Sequence, residues 1–176
     1  MTQEFRISVP DAFSAEAVKI FAEVNGLLTV EAHLLDDRTY EQWLDLFTED
    51  CLYWMPVDPL AVDGRQRLNV FYDNRARMED RVDRLTSGSA FSEQPPTLTA
   101  RTISAVYVTA EQDSTDTDLI VRSNFVLVSN RLGNQQLYGG RCLHHLVRIC
   151  GSLRIAEKRV TLLGSDTPQR PMTFMF

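Results

Sequence analysis

DLIVRSNFVLVSNRLGNQQLYGGRCLHHLVRICGSLRIAEKRVTLL, from Asp118 to Leu163, is the stretch that decides the fold. It contains three strand candidates, Asp118 to Arg131, Gln136 to Ile149 and Leu153 to Leu163. The short breaks between them contain Gly133-Asn134 and Gly151-Ser152, and such residues favour tight turns. Strands joined by short turns are antiparallel neighbours, because a parallel pair needs a long crossover between them. A fourth candidate, Thr97 to Glu111, lies upstream across the turn-rich Asp113-Ser114-Thr115-Asp116, and Pro95-Pro96 before it forbids helix. Gly139-Gly140 inside one run predicts a bulge or kink, and hence a bent sheet.

Upstream of this meander the period is helical. From Ala17 the apolar positions Ile20, Phe21, Val24, Leu28 and Leu35 recur at three- and four-residue spacing, with Ser14 placed to cap and Glu16 in the first turn. Asn25-Gly26 sits in the middle of that stripe and weakens it. Thr39-Tyr40-Glu41-Gln42 has capping-box spacing and predicts a second helix from Tyr40 to Phe47, burying Trp43, Leu44 and Phe47. Cys51-Leu52-Tyr53-Trp54-Met55 reads as a strand stopped by Pro56, and Pro59 to Gly64 as loop. Asn69 to Tyr72 reads as extended. Asp73 is the expected cap of a third helix reaching about Leu85, with Arg75–Glu79 and Asp80–Arg84 as four-residue charge pairs.

Helices first and a long sheet afterwards predict an α+β fold, with the N-terminal helices packed on a long, strongly curved antiparallel or mixed sheet. Helices closing the concave side of such a sheet leave a conical space that is either pocket or core. The 176 residues, with no repeat, low-complexity tract or linker, predict one domain over 1–176 with an N-terminal arm over 1–13. A chain of this length buries about 70% of its unfolded surface, enough for its own core.

Composition excludes several classes of function. The 24 acidic residues outnumber 18 basic ones, for a net charge of −6, and no Lys/Arg cluster offers a nucleic-acid face. Only Lys19 and Lys158 are lysines; the remaining basic residues are arginines, which suits partner surfaces and equally follows from GC-rich codon usage. No apolar run approaches the length of a membrane span, and Met1 to Pro10 lacks the pattern of a signal peptide. Cys51, Cys142 and Cys150 are scattered in apolar sequence, as expected of buried thiols in a reducing bacterial cytoplasm.

Chemistry-bearing motifs are sparse. His144 and His145 are adjacent on a strand, so they face opposite sides and do not converge on one metal. Cys142-Leu143-His144 has the spacing of half a Rieske site, but Cys150 is followed by Gly151, Ser152 and Leu153, leaving no second half. A mononuclear iron triad would require His33 to meet one of the pair. Neither Gly-rich phosphate loops nor a G-x-S-x-G elbow occurs, and Ser87-Gly88-Ser89 reads as a turn. General acid–base work could fall to His33 with Asp36, Asp37 and Tyr40 at the end of the first helix; otherwise Asp36 and Asp37 are a solvated turn. The aromatic segment around Tyr53 and Trp54 could line a pocket, the core or a subunit contact.

An ordered set of short matches identifies a family resemblance. His33-Leu34-Leu35-Asp36-Asp37 with Tyr40, Trp43-Leu44 and Leu46-Phe47 resembles the opening of the small (β) subunits of aromatic-ring-hydroxylating dioxygenases. Asp50-Cys51-Leu52-Tyr53-Trp54-Met55-Pro56, Tyr72-Asp73-Asn74, Arg81-Val82-Asp83-Arg84-Leu85 and Ser89-Ala90 with Pro95-Pro96 continue it. So do Arg101-Thr102-Ile103-Ser104, Val121-Arg122-Ser123-Asn124-Phe125, Gly140-Arg141 and Ala156-Glu157-Lys158-Arg159-Val160. The matches run from about Ala15 onward; Asn74 departs from them, where the family often has a second acidic residue.

The resemblance implies a cone similar to nuclear transport factor 2, scytalone dehydratase and ketosteroid isomerase. It implies that three β chains form a trimeric base for three α chains. Each α chain would hold a Rieske iron–sulfur cluster and a mononuclear Fe(II) that cis-dihydroxylates an aromatic ring with O2. Electrons would come from NADH through a reductase and ferredoxin. This chain would then be scaffold without a cofactor of its own, and Tyr53, Trp54, Met55 and Pro56 are expected at a subunit contact; burial of all four in the chain's own core would count against that. The alternative is a free-standing cone-shaped isomerase or dehydratase using His33 and a nearby Asp. A polar, open pocket would favour that alternative, and a filled cone with apolar outer faces the subunit. A homomeric binding module has no positive feature in the sequence.

Overall fold

The computed structural model describes residues 14–65, 67–87, 95–110, 118–165 and 172–176. The expected N-terminal arm, the break at Gly88, Ser89-Ala90 and the turn over Asp113 to Asp116 lie outside the described residues.

Helix α1 spans Ala15–Asp36, with the Ser14 hydroxyl accepting from the Ala17 N–H at 3.1 Å as the sequence predicts. It runs unbroken through Asn25-Gly26, since burial of the Val24, Leu28, Glu31 and Leu35 stripe outweighs the modest propensity cost of a glycine. Of the predicted stripe, Ile20 is half-buried and Phe21 is exposed. Helix α2 covers only Tyr40–Leu44. The predicted capping box does not form, because the Thr39 hydroxyl donates to the Leu34 carbonyl instead. Phe47, expected to end that helix, opens strand β1 (Phe47–Pro56). The Leu46 carbonyl accepts from Ile155 N–H, which draws the chain into the sheet at that point.

Strand β2 is Asn69–Asn74 and helix α3 is Arg75–Thr86. Asp73 does not cap α3; it is buried on β2 and grips Arg81 Nε and Nη2 at 2.8 and 2.6 Å, and Asn74 Oδ1 takes over as the cap. Arg75 pairs with Glu79 as predicted, whereas Arg84 Nε donates to the Asp80 carbonyl and not to its carboxylate.

The meander follows as β3 (Leu98–Ala110), β4 (Leu119–Arg131), β5 (Asn134–Ile149) and β6 (Ser152–Leu162). The sheet order is β2-β1-β6-β5-β4-β3, antiparallel everywhere except between β1 and β6. The Leu132-Gly133 and Cys150-Gly151 turns have positive φ at both residues, the geometry that matches strand twist in two-residue hairpins.

The predicted break at Gly139-Gly140 is absent from the register, which shifts instead between Ser104 and Tyr107 and between His145 and Leu146. Gly140 serves close approach: a Cβ there would lie 2.5 Å from the Thr161 carbonyl oxygen and 2.7 Å from the Phe125 ring. Helix α1 crosses β3 and β6, and α3 lies on β1 and β2, so the three described helices cover one face of the sheet and the core lies between. At its centre Trp43 meets Phe47 and Tyr53 edge-on, with ring centroids 4.8 and 5.4 Å away.

Candidate functional site

The inner face of the sheet carries an ionic cluster at positions where periodicity calls for hydrophobes. Glu31 lies on the buried stripe of α1, three residues after Leu28 and four before Leu35. On β5, His144 shares the inward phase of Cys142 and Leu146. On β6, Lys158 shares that of Val160 and Leu162. All three side chains are almost wholly enclosed, at 4%, 1% and 3% exposure.

Their geometry satisfies the acid well. Glu31 Oε1 accepts from Lys158 Nζ at 2.7 Å and from Trp43 Nε1 at 3.2 Å, and Oε2 faces His144 Nε2 at 3.1 Å. Burial by itself would raise the Glu31 carboxyl, but the Lys158 and His144 charges and hydrogen bonds outweigh it and hold the group well below the usual carboxylate range. Facing a carboxylate oxygen, His144 Nε2 carries the proton; Nδ1 is buried without a hydrogen-bond partner among the described residues.

Residues 174–176 close the space above this cluster. The Phe176 main-chain oxygen accepts from Lys158 Nζ at 2.7 Å and from the Tyr53 hydroxyl at 3.1 Å, and Arg101 Nη2 donates to the Met175 carbonyl at 3.1 Å. Burial drives the Tyr53 phenol above its ordinary range, keeping it protonated. A void of about 20 Å3 remains, bordered by Glu31, Arg101, Cys142, His144, Lys158 and Phe176 among others. That accommodates one water and no substrate. A separate open cleft of about 530 Å3 lies beside the β4–β5 turn, where the described lining includes no carboxylate and no histidine.

The acid–base set expected from the sequence does not assemble. His33 is two residues past Glu31, about 200° around the helix, and is exposed on the far side of α1. Asp36 is tied to β3, accepting from Thr99 Oγ1, Arg101 Nε and Arg101 N–H at 2.8, 2.8 and 2.9 Å. Asp37 is exposed at the helix C-cap, and Tyr40 is buried beneath Arg38. A polar residue in phase with the apolar stripe was the available signal, and Glu31, His144 and Lys158 each show it.

Tyr53, Trp54, Met55 and Pro56 are all buried by this chain's own residues. Consecutive strand residues face opposite sides, and both sides are covered. Tyr53 points into the core. Trp54 lies under the loop after β1, with Arg159 stacked 4.5 Å from its ring and Asn69 Oδ1 2.6 Å from Nε1. Tyr53 and Met55 thus belong to the core, whereas Trp54 and Pro56 are buried outside it.

Nor do the residues fit an iron–sulfur cluster. Cys142 and His144 do share a face, but burial pushes the Cys142 thiol up to about 11, far from a thiolate ligand, and His144 Nε2 is committed to Glu31. Among the described residues no group of three or more His, Cys, Asp or Glu side chains is placed to hold a metal ion. No helix among them is long and apolar enough to cross a membrane.

Comparison with known proteins agrees with this architecture. The chain is 35% identical over 158 residues to the small oxygenase component of the p-cumate 2,3-dioxygenase system of Pseudomonas putida, covering 89% of this chain and 86% of that one. The solved β subunit of benzoate 1,2-dioxygenase from Burkholderia mallei superposes with a TM-score of 0.69 at 26% identity, over 88% of this chain and 96% of that one. A chain of naphthalene 1,2-dioxygenase with indole bound in its active site shares the fold at a TM-score of 0.70 and 22% identity, over 85% and 88% of the two chains. The fold is thus the α+β cone that the sequence led us to expect. Residues 30–168 match the family model described as the ring hydroxylating beta subunit, and the chain belongs to that family.

Proposed function

We infer that this chain is the scaffold subunit of an aromatic-ring-hydroxylating dioxygenase, assembling as a trimer with three oxygenase α chains. The observation that carries this reading is the filled interior. Pockets for small substrates run to about 300–1,000 Å3, whereas the space beside Glu31 and His144 is about 20 Å3. The relatives support it, being small or β subunits of dioxygenases. So does the outer face of the sheet, where Leu98, Val126, Leu137 and Leu163 are exposed; isolated exposed leucines are ordinary, but the first three lie on the neighbouring strands β3, β4 and β5, and Leu163 follows β6 beside Gly139.

In this reading O2 activation and cis-dihydroxylation of the ring belong to the partner α chain, whose Rieske cluster and mononuclear iron receive electrons from NADH through a reductase and ferredoxin. The present chain contributes a rigid base.

Native mass spectrometry of the chain alone, and after co-expression with the oxygenase-like gene nearest to it, tests the reading. A β trimer that joins an iron-containing α3β3 hexamer is the expected result. A chain that stays monomeric and ignores the oxygenase would overturn it.

A further inference from the structure

The loop between β1 and β2 carries the most exposed large apolar side chains among the described residues: Leu60, Val62 and Leu68 are 84%, 92% and 80% accessible. Its backbone is nevertheless well fixed. Asp58 Oδ1 accepts from the Leu60 N–H and Asp63 Oδ1 from the Arg65 N–H, each at 2.9 Å. Asn69 Nδ2 donates to the Gly64 carbonyl at 2.7 Å, and Arg159 Nη2 to the Pro59 carbonyl at 3.0 Å. A Cβ at Gly64 would strike the Tyr72 ring and lie 2.8 Å from Trp54 Nε1, so the loop is seated directly against both rings. Polar side chains thus hold in place a backbone whose apolar residues face water, an arrangement that gains free energy only when another surface covers it.

A matching surface lies on the same chain, in the apolar area formed by Leu98, Val126, Leu137 and Leu163 on the outer face of the sheet. Arg141 stands beside it in the outward phase of Leu137, exposed, with the neutral Asn124 and Thr161 opposite it on β4 and β6. The loop carries the opposite charge in the corresponding place, since the exposed Asp63 directly follows Val62. Among the described residues Arg141 has no carboxylate partner and Asp63 no cationic one. Loop and face are both exposed in the single chain, so neither covers the other.

We propose that the β1–β2 loop of one copy docks on the outer sheet face of the next, with Leu60 and Val62 against Val126 and Leu137 and with Asp63 against Arg141. This rests on the trimer reading above and names the contact that builds the trimer. A second copy is the occupant because both halves of the contact, apolar and charged, belong to this chain. Two different patches make a heterologous interface, which closes into a ring when the rotation from copy to copy allows it. The apolar area supplies the affinity, and the ion pair at its margin fixes the register.

The test compares the full wild-type chain with Val62→Glu and Leu137→Glu by native mass spectrometry, alone and co-expressed with the oxygenase, in whichever preparation the wild type is trimeric. Both positions are exposed in the single chain, so the variants keep its fold, which far-UV circular dichroism checks. Each variant by itself is expected to be monomeric, its association weakened about 100-fold or more because the contact would bury an unpaired carboxylate. Mixed at high micromolar concentration, the two are expected to form a one-to-one dimer and no trimer: each supplies the surface that the other has lost, and the ring cannot close. Variants that trimerise like the wild type, or a mixture that stays monomeric, overturn the proposal and leave the scaffold reading standing. Variants that keep the β trimer but lose the oxygenase overturn it as well, by assigning the face to the α chain. A wild type that is monomeric in both preparations overturns the scaffold reading, and the proposal with it.

Discussion

Replacing Glu31 by leucine would remove the carboxylate paired with the Lys158 ammonium, 3% exposed, and leave the main-chain oxygen of Phe176 as its acceptor among the described residues. Removing one member of a buried pair costs about 3–5 kcal/mol, because the remaining charge stays desolvated. A natural domain has about 5–15 kcal/mol in total, so the variant would lose a large share of its stability. In a chain of this size each kcal/mol is worth about 2–4 °C, which places the loss of Tm at about 6–20 °C.

The Glu31→Leu/Lys158→Met double variant should recover part of that loss, because Trp43 Nε1–H and His144 Nε2–H still lose their acceptor. It removes both ions together, and the Tyr53 hydroxyl still donates to Phe176 O. Replacing a whole buried pair by apolar side chains is often neutral or stabilising. Urea unfolding followed by far-UV circular dichroism on the four members of the cycle would measure this. The reasoning fails if Glu31→Leu costs less than about 1 kcal/mol, or if the double variant is as unstable as the sum of the two single ones.

Four further outcomes follow from the same contacts. Gly140→Ala forces a Cβ to within 2.5 Å of the Thr161 carbonyl, a backbone atom that cannot swing away, and should cost about 1–3 kcal/mol in the same urea assay. In mildly alkaline buffer a thiol reagent should titrate only the exposed Cys150 quickly, because Cys51 and Cys142 are buried with raised pKa values; all three should react after denaturation. The Glu31 carboxyl is depressed in the folded state, so its contribution is complete above the unfolded value of about 4.3 and is lost as pH falls below it; unfolding midpoints measured across the acid range should therefore drop more steeply for the wild type than for the double variant. His33→Ala, on the exposed side of α1, should leave turnover by an assembled oxygenase within a few-fold of wild type, and a loss of about 100-fold with assembly intact would restore a catalytic role for it.

Much of the architecture was legible because it depends on local rules. The Ser14 cap, the Arg75–Glu79 pair and the antiparallel run from β3 to β6 each follow from spacing within a few residues or from turns too short for any other connection. Boundaries failed where a contact outside the local pattern intervened. Phe47 left the helix pattern because Ile155, more than a hundred residues away, pairs with it, and Asp73 was taken from the cap by Arg81. The parallel β1–β6 contact had no signal in either strand alone.

For the interior, the sequence alone determined that an acid and an imidazole occupy inward phases of α1 and β5, since periods of 3.6 and 2 are properties of the backbone, whereas Lys158 turns inward only because the β6 alternation changes phase after Ile155. The tertiary structure decided that the three meet on one face, that His33 does not join them, and that Phe176 seals the space they border. The reason is physical: a side chain's face is set by its neighbours in sequence. The group that neutralises a buried charge, by contrast, is set by chain segments 113 and 127 residues from Glu31, brought together only by packing the whole sheet against one helix.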